Sequence, residues 1–208
     1  MNAMNAMSVV VVAYALGCVS TAYYLFRLST GQDIRSRGSG NAGARNIGRE
    51  LGALAFVVTF VIDGGKGFLA VALARYFELG ETSVMLAMIA VVAGHIWPAQ
   101  LGLRGGKGVA TGLGALAAFD LKLVIPLILV FAIAAPLFKS FTLGGLLAIV
   151  LTPIATALRQ HSQVETGGVL ILAALIVFAH RDNLREIFAK PPAGSGAATA
   201  PHLERRQP

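Results

Sequence analysis

The chain has 208 residues and a net charge of +7, and it is 56% hydrophobic but only 13% charged. Its mean hydropathy is +0.72, whereas soluble domains usually carry about 25% charged residues. This composition excludes a soluble globular protein, a disordered chain and a disulfide-rich secreted domain. The single cysteine, Cys18, lies within an apolar run, so the sequence allows neither an intrachain disulfide nor a cysteine metal cluster.

The apolar residues fall into segments that suit membrane-spanning helices, each of which needs about 20 mostly apolar residues. The first predicted span covers residues 9–28, and because no Lys or Arg precedes it, it is not predicted to be a cleaved secretory signal. We therefore predict an all-α polytopic membrane protein in which residues 1–190 form one membrane-embedded domain and residues 191–208 a disordered tail. Further apolar segments are predicted at 51–77, 82–97, 109–119, 121–138, 141–158 and 167–179, with polar, glycine-rich segments at 29–50 and 98–108.

Basic residues predict the topology, because Lys and Arg are enriched in cytoplasmic loops. They crowd into the segment after the first span, which places the N-terminus outside and residues 30–50 in the cytoplasm. If both glycine-rich segments share that side, segment 109–119 must cross as a short span or half-helix, which gives seven crossings and a cytoplasmic C-terminus. The alternative is five spans with two re-entrant segments. With seven crossings, the basic residues left outside are Arg75, Lys122 and Arg159.

The first polar segment, 39–49, reads SGNAGARNIGR. Ser39, Asn41, Asn46 and Arg49 supply hydroxyl, amide and guanidinium donors on a backbone that contains several glycines. Glycine lets backbone N–H groups approach an anion closely, and the planar guanidinium fork matches phosphate oxygens. An ordinary cytoplasmic loop would explain the arginines, including Arg35 and Arg37 upstream, but not the clustered Ser, Gly and Asn.

The second polar segment contains Gly105, Gly106, Lys107 and Gly108, directly before an apolar helix. A glycine loop that opens a helix presents free N–H groups and the positive end of the helix dipole, which favours an anion. It is not a Walker A loop, which needs another glycine upstream and Ser or Thr after the lysine. Taken alone, this segment is more typical of a flexible turn with a topology lysine than of an anion site.

The third polar segment, HRDN at 180–183, follows the last predicted span. On a continuing helix, His180 and Asn183 share a face, and histidine is a natural general base or phosphate partner near neutral pH. The alternative is a helix end at which basic side chains complement the dipole.

These three segments share phosphate-binding residue types and, by the charge count, one side of the membrane. The sequence offers no Cys-His metal spacing, no nucleophile elbow and no two-carboxylate site, so neither a metal nor a cofactor is expected. Asp63 and Lys66 are expected to form a buried pair that stabilises the second span. The residues alone thus predict a membrane protein that gathers one or two phosphorylated groups at its cytoplasmic face.

In this order and setting the motifs resemble the bacterial acyl-phosphate:glycerol-3-phosphate acyltransferase family (PlsY-type), over roughly residues 8–188. The matching stretches are GQDIR at 31–35, SGNAGA at 39–44, NIGRELG at 46–52, Asp63 with Lys66 and Gly67, GHIWP at 94–98, GGKGVAT at 105–111 and HRDN at 180–183.

The resemblance implies a seven-helix enzyme of the bacterial inner membrane, with its active site on the cytoplasmic side. It would transfer an acyl group from acyl phosphate to the 1-hydroxyl of glycerol 3-phosphate and release lysophosphatidate and phosphate, the first acylation step of phospholipid synthesis. No coenzyme A and no nucleic-acid partner is implied. The residues implied to form the catalytic and phosphate site are Ser39, Asn41, Asn46, Arg49, Gly105, Gly106, Lys107, Gly108, His180 and Asn183.

Two departures from the family pattern stand out. Arg45 occupies a position where the family usually has Thr, and the family's usual Arg-Leu and Gly-x-Glu ending is replaced by EIFAKP at 186–191. Two other functions stay open at this point: a membrane carrier for a phosphorylated solute, and an acyl-phosphate-dependent enzyme with another acceptor alcohol.

Overall fold

The structure, a computed structural model, describes residues 3–189, with side chains from residue 7 onward. This part of the chain is helical and contains no β-strand, so the all-α prediction is confirmed. The predicted tail at 191–208 lies outside the described residues. The helices are α1 (Ala3–Cys18), α2 (Thr21–Thr30), α3 (Ala44–Leu51), α4 (Ala53–Tyr76), α5 (Glu81–Ile96), α6 (Val109–Phe119), α7 (Leu121–Leu137), α8 (Phe141–Leu158), α9 (Gln163–Ala179) and α10 (Arg181–Ala189).

Four stretches within the described residues are long and apolar enough to cross a membrane: Met7–Thr30, Ala53–Tyr76, Glu81–Leu101 and Phe141–Leu158. A fifth is obtained if α9 and α10, which are bent by 54° at their junction, count as one span. The helices α6 and α7 are apolar but shorter. The chain is therefore a membrane protein with four or five such spans by length and composition, and seven crossings stay a prediction.

The first span differs from the single continuous helix that its sequence suggests. It consists of α1 and α2, separated by a break at Val19 and Ser20. In contrast, α4 continues as one 24-residue helix through the polar DGGKG stretch at 63–67. The carbonyl oxygens of Gly17 and Val19 at the break accept hydrogen bonds from Lys66 of α4, at 2.9 and 2.5 Å. A side chain from the second span thus satisfies backbone groups that a continuous first helix would have paired internally.

Small residues bring neighbouring helices into backbone contact. Where α1 crosses α5, a side chain at Gly17 would collide with the backbone of Val91 and Gly94. Where α4 lies along α6, a side chain at Gly114 would collide with the backbone of Gly64. Close approach at small residues is how helices associate in lipid, where hydrocarbon offers no hydrophobic driving force between them.

Large apolar side chains are exposed on the outer faces of the helices. On α4 they include Val61 and Ile62, and on α7 and α8 they include Ile125, Ile133 and Ile154. A soluble monomer rarely exposes so much contiguous apolar surface. The surface is therefore suited to contact with lipid chains.

The helix α6 begins deep within the bundle, beside the middle of α4. Its first turn lies against Gly64 and Gly67, and its last turn accepts a hydrogen bond from Arg75 at the carbonyl oxygens of Ala118 and Phe119. The two helices therefore run parallel, and α6 starts about halfway along α4. The glycine-rich loop 98–108 reaches down to this depth and carries the start of α6 with it.

Candidate active site

One pocket gathers side chains from all three polar segments, and its cavity volume is about 150 Å³. The structure thus brings together segments that are far apart in the sequence. The lining residues from the three segments are Ser39, Asn41, Gly43, Ala44, Arg45, Asn46, Arg49, Lys107, Gly108, His180 and Asn183.

Asn46 shapes the first segment. Its side chain is buried, its Nδ2 donates to the carbonyl oxygens of Ile34 and Arg37 at 3.3 and 3.0 Å, and its Oδ1 accepts from the N–H of Ser39 at 2.9 Å. Its amide is thus occupied in holding the loop around Ser39. Although Asn46 lines the pocket, its contacts are those of a residue that positions Ser39.

Arg35 ties the first and second polar segments together, a role that charge counting alone did not reveal. Its guanidinium is held by Asp33 at 2.7 Å and donates to the carbonyl oxygen of Leu101 at 2.6 Å. The N–H of Ala42 also donates to the carbonyl oxygen of Gly105, at 3.3 Å. Hydrogen bonds from Arg35 hold the pKa of the Asp33 carboxyl below its ordinary value, so the ion pair persists at neutral pH.

The two glycines before Lys107 fold back on the end of α5. The N–H of Gly106 donates to the carbonyl oxygen of His95 and that of Gly105 to Ile96, both at 3.0 Å. A side chain at Gly106 would collide with the imidazole of His95. Gly105 and Gly106 therefore pack the loop against the end of α5 and are not among the pocket-lining residues.

Gly108 is the N-cap of α6 and has a φ of +83°, in the left-handed region that favours glycine. No side chain caps this helix start. The first backbone N–H groups of a helix have no intrahelical acceptors and carry the positive end of the dipole. Because Gly108, Val109 and Ala110 line the pocket, this positive end lies at the pocket wall.

Lys107 and Asn183 join the second and third segments through a hydrogen bond from the ammonium Nζ to the amide Oδ1. Burial lowers the pKa of Lys107 below its ordinary value, and the carboxylates of Glu186 and Asp182 partly offset this effect. An anion bound beside the ammonium would favour its charged form in the same way.

His180 lies at the junction of α9 and α10 and is buried. Its Nδ1 is 2.8 Å from the carbonyl oxygen of Ile176. Since a carbonyl only accepts, Nδ1 carries the hydrogen and the neutral ring keeps a lone pair on Nε2. This is the tautomer that a general base at the pocket requires.

The pocket also has an apolar wall that the sequence analysis missed. It is formed by Phe56 and Phe60 of α4 and by Phe141 and Leu146 of α8. The two α4 rings are stacked with centroids 5.9 Å apart. Nothing in the sequence distinguishes these side chains from the other apolar residues of their spans.

A buried ionic network reaches the pocket from the centre of the bundle. Asp63 Oδ1 is 2.9 Å from Lys66 Nζ and accepts a hydrogen bond from Thr21 at 2.9 Å. Lys66 Nζ is also 2.9 Å from His95 Nδ1. The expected pair of Asp63 and Lys66 is therefore present, and Asp63 and His95 both line the pocket.

The fold and the site define an integral membrane protein with a cation-lined pocket beside an apolar wall. The glycerol-3-phosphate acyltransferase family model matches residues 7–190. Glycerol-3-phosphate acyltransferase 1 of Desulfitobacterium hafniense (strain Y51) is 46% identical over 178 residues, which cover 86% of this chain and 88% of that protein. The enzyme of the same name from Bacillus cereus (strain ATCC 10987 / NRS 248) is 41% identical over 172 residues, covering 83% and 94% of the two chains.

Solved structures agree with this match. The crystal structure of PlsY (YgiH), an integral membrane glycerol 3-phosphate acyltransferase, in its glycerol 3-phosphate form has a TM-score of 0.83 at 29% identity, covering 88% of this chain and 92% of that chain. Its lysophosphatidic acid form has a TM-score of 0.81 at 28% identity, with the same coverage. The chain belongs to the glycerol-3-phosphate acyltransferase family and is an enzyme, which confirms the resemblance drawn from its motifs.

Proposed function

We propose that this enzyme transfers a fatty acyl group from acyl phosphate to the 1-hydroxyl of glycerol 3-phosphate, the first acylation step of phospholipid synthesis. The observation that carries the proposal is the union, in one pocket, of Arg49, Lys107 and the α6 N-terminus with a wall of phenylalanine rings. A phosphorylated acceptor needs the cations, and a fatty acyl donor needs the apolar wall. Both substrates then lie within reach of His180.

The proposed site follows the motif residues. Arg49, Lys107 and Asn183 bind the acceptor phosphate together with the N–H groups near Gly108, and Ser39 and Asn41 hold the glycerol hydroxyls. Gly105 and Gly106 set the course of the loop, as Asn46 does for Ser39. Charge neutralisation and positioning are the main catalytic requirements, because acyl phosphate is already activated.

The chemistry is a single acyl transfer. The acceptor hydroxyl oxygen attacks the carbonyl carbon of the donor, the bond from that carbon to the phosphate oxygen breaks, and the products are lysophosphatidate and inorganic phosphate. The hydroxyl proton goes either to Nε2 of His180 or to a phosphate oxygen, two routes that an experiment on His180 separates. No step needs an acyl-enzyme intermediate.

The proposed topology has seven crossings, an outer N-terminus and a cytoplasmic pocket in the inner membrane. Support comes from the two ends of the bundle. Lys107 and Asn183 lie at the pocket, whereas Asp120, Arg159 and His161 form a separate cluster, with Arg159 Nε 2.7 Å and His161 Nε2 3.0 Å from Asp120 Oδ2. A crossing by each of α6, α7, α8 and α9 puts these two groups at opposite ends.

Purified protein in vesicles tests the proposal by its donor dependence. Acyl phosphate with glycerol 3-phosphate should give lysophosphatidate and one phosphate per molecule of product, whereas acyl-CoA should give none. Turnover with acyl-CoA, or no product from acyl phosphate at high enzyme concentration, would overturn it. A panel of acceptor alcohols separates glycerol 3-phosphate from other acceptors.

The carrier alternative draws no support from the pocket, because the deep charges Asp63 and Lys66 are bound to each other. Its test is the entry of labelled glycerol 3-phosphate into protein-containing vesicles without any acyl donor. Such entry would favour a carrier.

A further inference from the structure

Arg45 is a pocket-lining cation that the proposed acceptor site leaves unused. It lies in the first turn of α3, four residues before Arg49. Like charges at this spacing share a helix face and repel each other. Among the described residues, no carboxylate oxygen lies within 4.0 Å of either guanidinium. Two arginines without acidic partners on one face of a pocket are suited to bind anions.

Arg45 reaches across the pocket to α8. Its Nη1 donates to the hydroxyl of Thr142 at 3.1 Å, and its guanidinium carbon is 4.7 Å from the ring centroid of Phe141. The hydrogen bond uses one of the five N–H donors of a guanidinium. Arg45 is thereby held with its charge against the apolar wall and with donors left for a ligand.

The neighbours of Arg45 divide the pocket into two parts. The apolar part includes Leu146 and Phe141, whose ring lies against the Arg45 guanidinium, and a side chain at Gly145 would meet nothing within 4 Å. The cationic part includes Lys107, which binds Asn183 and whose pKa the charge of Arg45 helps to lower. Arg45 therefore lies where the apolar wall meets the cationic part.

The chemistry of an acyl phosphate matches this boundary. Its phosphoryl group is bonded through one oxygen to the acyl carbon, so the anionic head must lie immediately beside the hydrocarbon chain. Glycerol 3-phosphate has no such chain and needs only the cationic part. A cation that rests on an aromatic ring at the edge of an apolar wall suits the donor head better than the acceptor.

We propose that Arg45 binds the phosphoryl group of the acyl donor, while Arg49 and Lys107 bind the acceptor phosphate. This assignment rests on the proposed function, since it names the donor subsite of the same reaction. It gives each of the two substrate phosphates its own arginine and fixes the donor carbonyl beside the acceptor hydroxyl.

The charges around Arg45 favour the binding of an anion beside it. Burial and the charge of Arg49 lower the pKa of Arg45 below its ordinary value, and the charge of Arg45 in turn contributes to the lowered pKa of Lys107. Three cations so placed are mutually unfavourable until negative charge is bound. Two phosphorylated substrates supply that charge.

The test compares Arg45→Gln and Arg45→Lys with the control Arg37→Gln. Arg37 is exposed, lies in the same polar segment and donates only to Gln32 through its side chain, at 2.9 and 2.5 Å, outside the pocket. For each full-length protein, the apparent KM is measured separately for acyl phosphate and glycerol 3-phosphate. Binding of a long-chain alkyl phosphonate, a donor analogue that cannot react, is measured by titration.

Arg45→Gln should raise the KM for acyl phosphate and the Kd of the phosphonate at least about tenfold, as loss of a charge-assisted phosphate contact predicts. In the same variant the KM for glycerol 3-phosphate should change less than about threefold. Arg45→Lys should have an intermediate KM for acyl phosphate, because it keeps the charge but not the planar fork. The control Arg37→Gln should have the wild-type KM for both substrates.

A raised KM for glycerol 3-phosphate with an unchanged donor KM would assign Arg45 to the acceptor and overturn the proposal, as would unchanged values for both. The phosphonate titration needs no turnover. A wild-type protein that makes no lysophosphatidate but binds phosphonate through Arg45 would therefore contradict the proposed function and leave the Arg45 assignment supported.

Discussion

The ammonium of Lys66 lies 2.9 Å from Nδ1 of His95, and this contact links the centre of the bundle to the pocket. Because the ammonium donates, Nδ1 accepts and the neutral ring carries its hydrogen on Nε2. The ring lies against Gly106, one residue before Lys107. The position of the glycine-rich loop 98–108 therefore depends on a charge buried in α4.

Replacement of Lys66 should show how much the bundle depends on this charge. Lys66→Met leaves the carboxylate of Asp63 buried without its partner, and loss of one member of a buried pair costs about 3–5 kcal/mol. We expect a markedly lower unfolding temperature in detergent, measured by intrinsic fluorescence. The double variant Asp63→Asn with Lys66→Met should recover part of the loss, and Lys122→Met, at an exposed position, should change little. A Lys66→Met protein as stable as the wild type would refute the assigned pairing.

Gly106→Ala should disturb the loop while leaving the bundle folded. The new methyl group would meet the imidazole of His95, so Lys107 must shift, and a displacement of about 1 Å in a positioned group can cost about 100-fold in rate. The matched control is Gly65→Ala, because nothing lies within 4 Å of a side chain there and alanine favours the helix. Equal activity of the two variants would mean that the close packing of Gly106 on His95 is unimportant.

Lys107→Ala and Arg49→Ala should each remove most acyl transfer while the protein still inserts into membranes. Deletion of one charged partner of a bound phosphate costs roughly 2–5 kcal/mol. The measurement is kcat/KM for glycerol 3-phosphate at saturating acyl phosphate, with Lys122→Ala as the control. Near-normal turnover in either variant would contradict the proposed acceptor site.

His180→Gln separates the two proton routes. If Nε2 of His180 accepts the hydroxyl proton, kcat should fall by about 100-fold to 10,000-fold, with a smaller change in the KM for glycerol 3-phosphate. We expect this result, because the hydrogen bond of Nδ1 to Ile176 at 2.8 Å fixes the required tautomer. A normal kcat with a raised KM would instead assign the proton to a substrate phosphate.

Acid should weaken the cluster at the other end of the bundle. Burial alone raises the pKa of Asp120, but hydrogen bonds from Arg159, His161 and the backbone N–H of Lys122 outweigh it and lower this pKa. A depressed carboxyl pKa stabilises the fold above the unfolded value of about 3.9, and that contribution is lost as the pH falls through the folded value.

The corresponding variant is Asp120→Asn. It should lower the free energy of unfolding at pH 7 by about 1 kcal/mol, which a lower unfolding temperature would show. The difference in unfolding temperature from the wild type should shrink on acidification below about pH 4. Asp182→Asn is the control, because its partner Arg185 is exposed and 3.3 Å away. A difference that persists at low pH would show that the ion pairs are not its source.

Much of the site could be predicted because its residues are polar in an otherwise apolar chain. Ser39, Lys107 and His180 stand out against hydrocarbon-compatible surroundings, and the charge bias places them together. Gly108 likewise opens α6, as its position before an apolar segment predicts.

The remaining features depend on contacts between distant segments. The break between α1 and α2 has no local proline, and its free carbonyl groups bind Lys66, 47 residues from Val19. The apolar wall uses Phe56 and Phe141, which look like ordinary span residues. The hydrogen bond from Arg35 to the carbonyl oxygen of Leu101 could not be predicted either, since a loop arginine is already explained by topology.

The central claim is that three distant segments form one phosphate pocket on one side of the membrane, and single cysteines test it most directly. Ala44 and Val109 line the pocket, Asn183 represents the third segment, and Lys122 lies outside it. In a Cys18→Ser background, Ala44→Cys, Val109→Cys and Asn183→Cys should react with a membrane-impermeant thiol reagent from the cytoplasmic side. Glycerol 3-phosphate should slow the reaction of Ala44→Cys and Val109→Cys, while Lys122→Cys should react from the other side without protection. Reaction of the three pocket cysteines from opposite sides, or no protection of Ala44→Cys and Val109→Cys by glycerol 3-phosphate, would contradict the account.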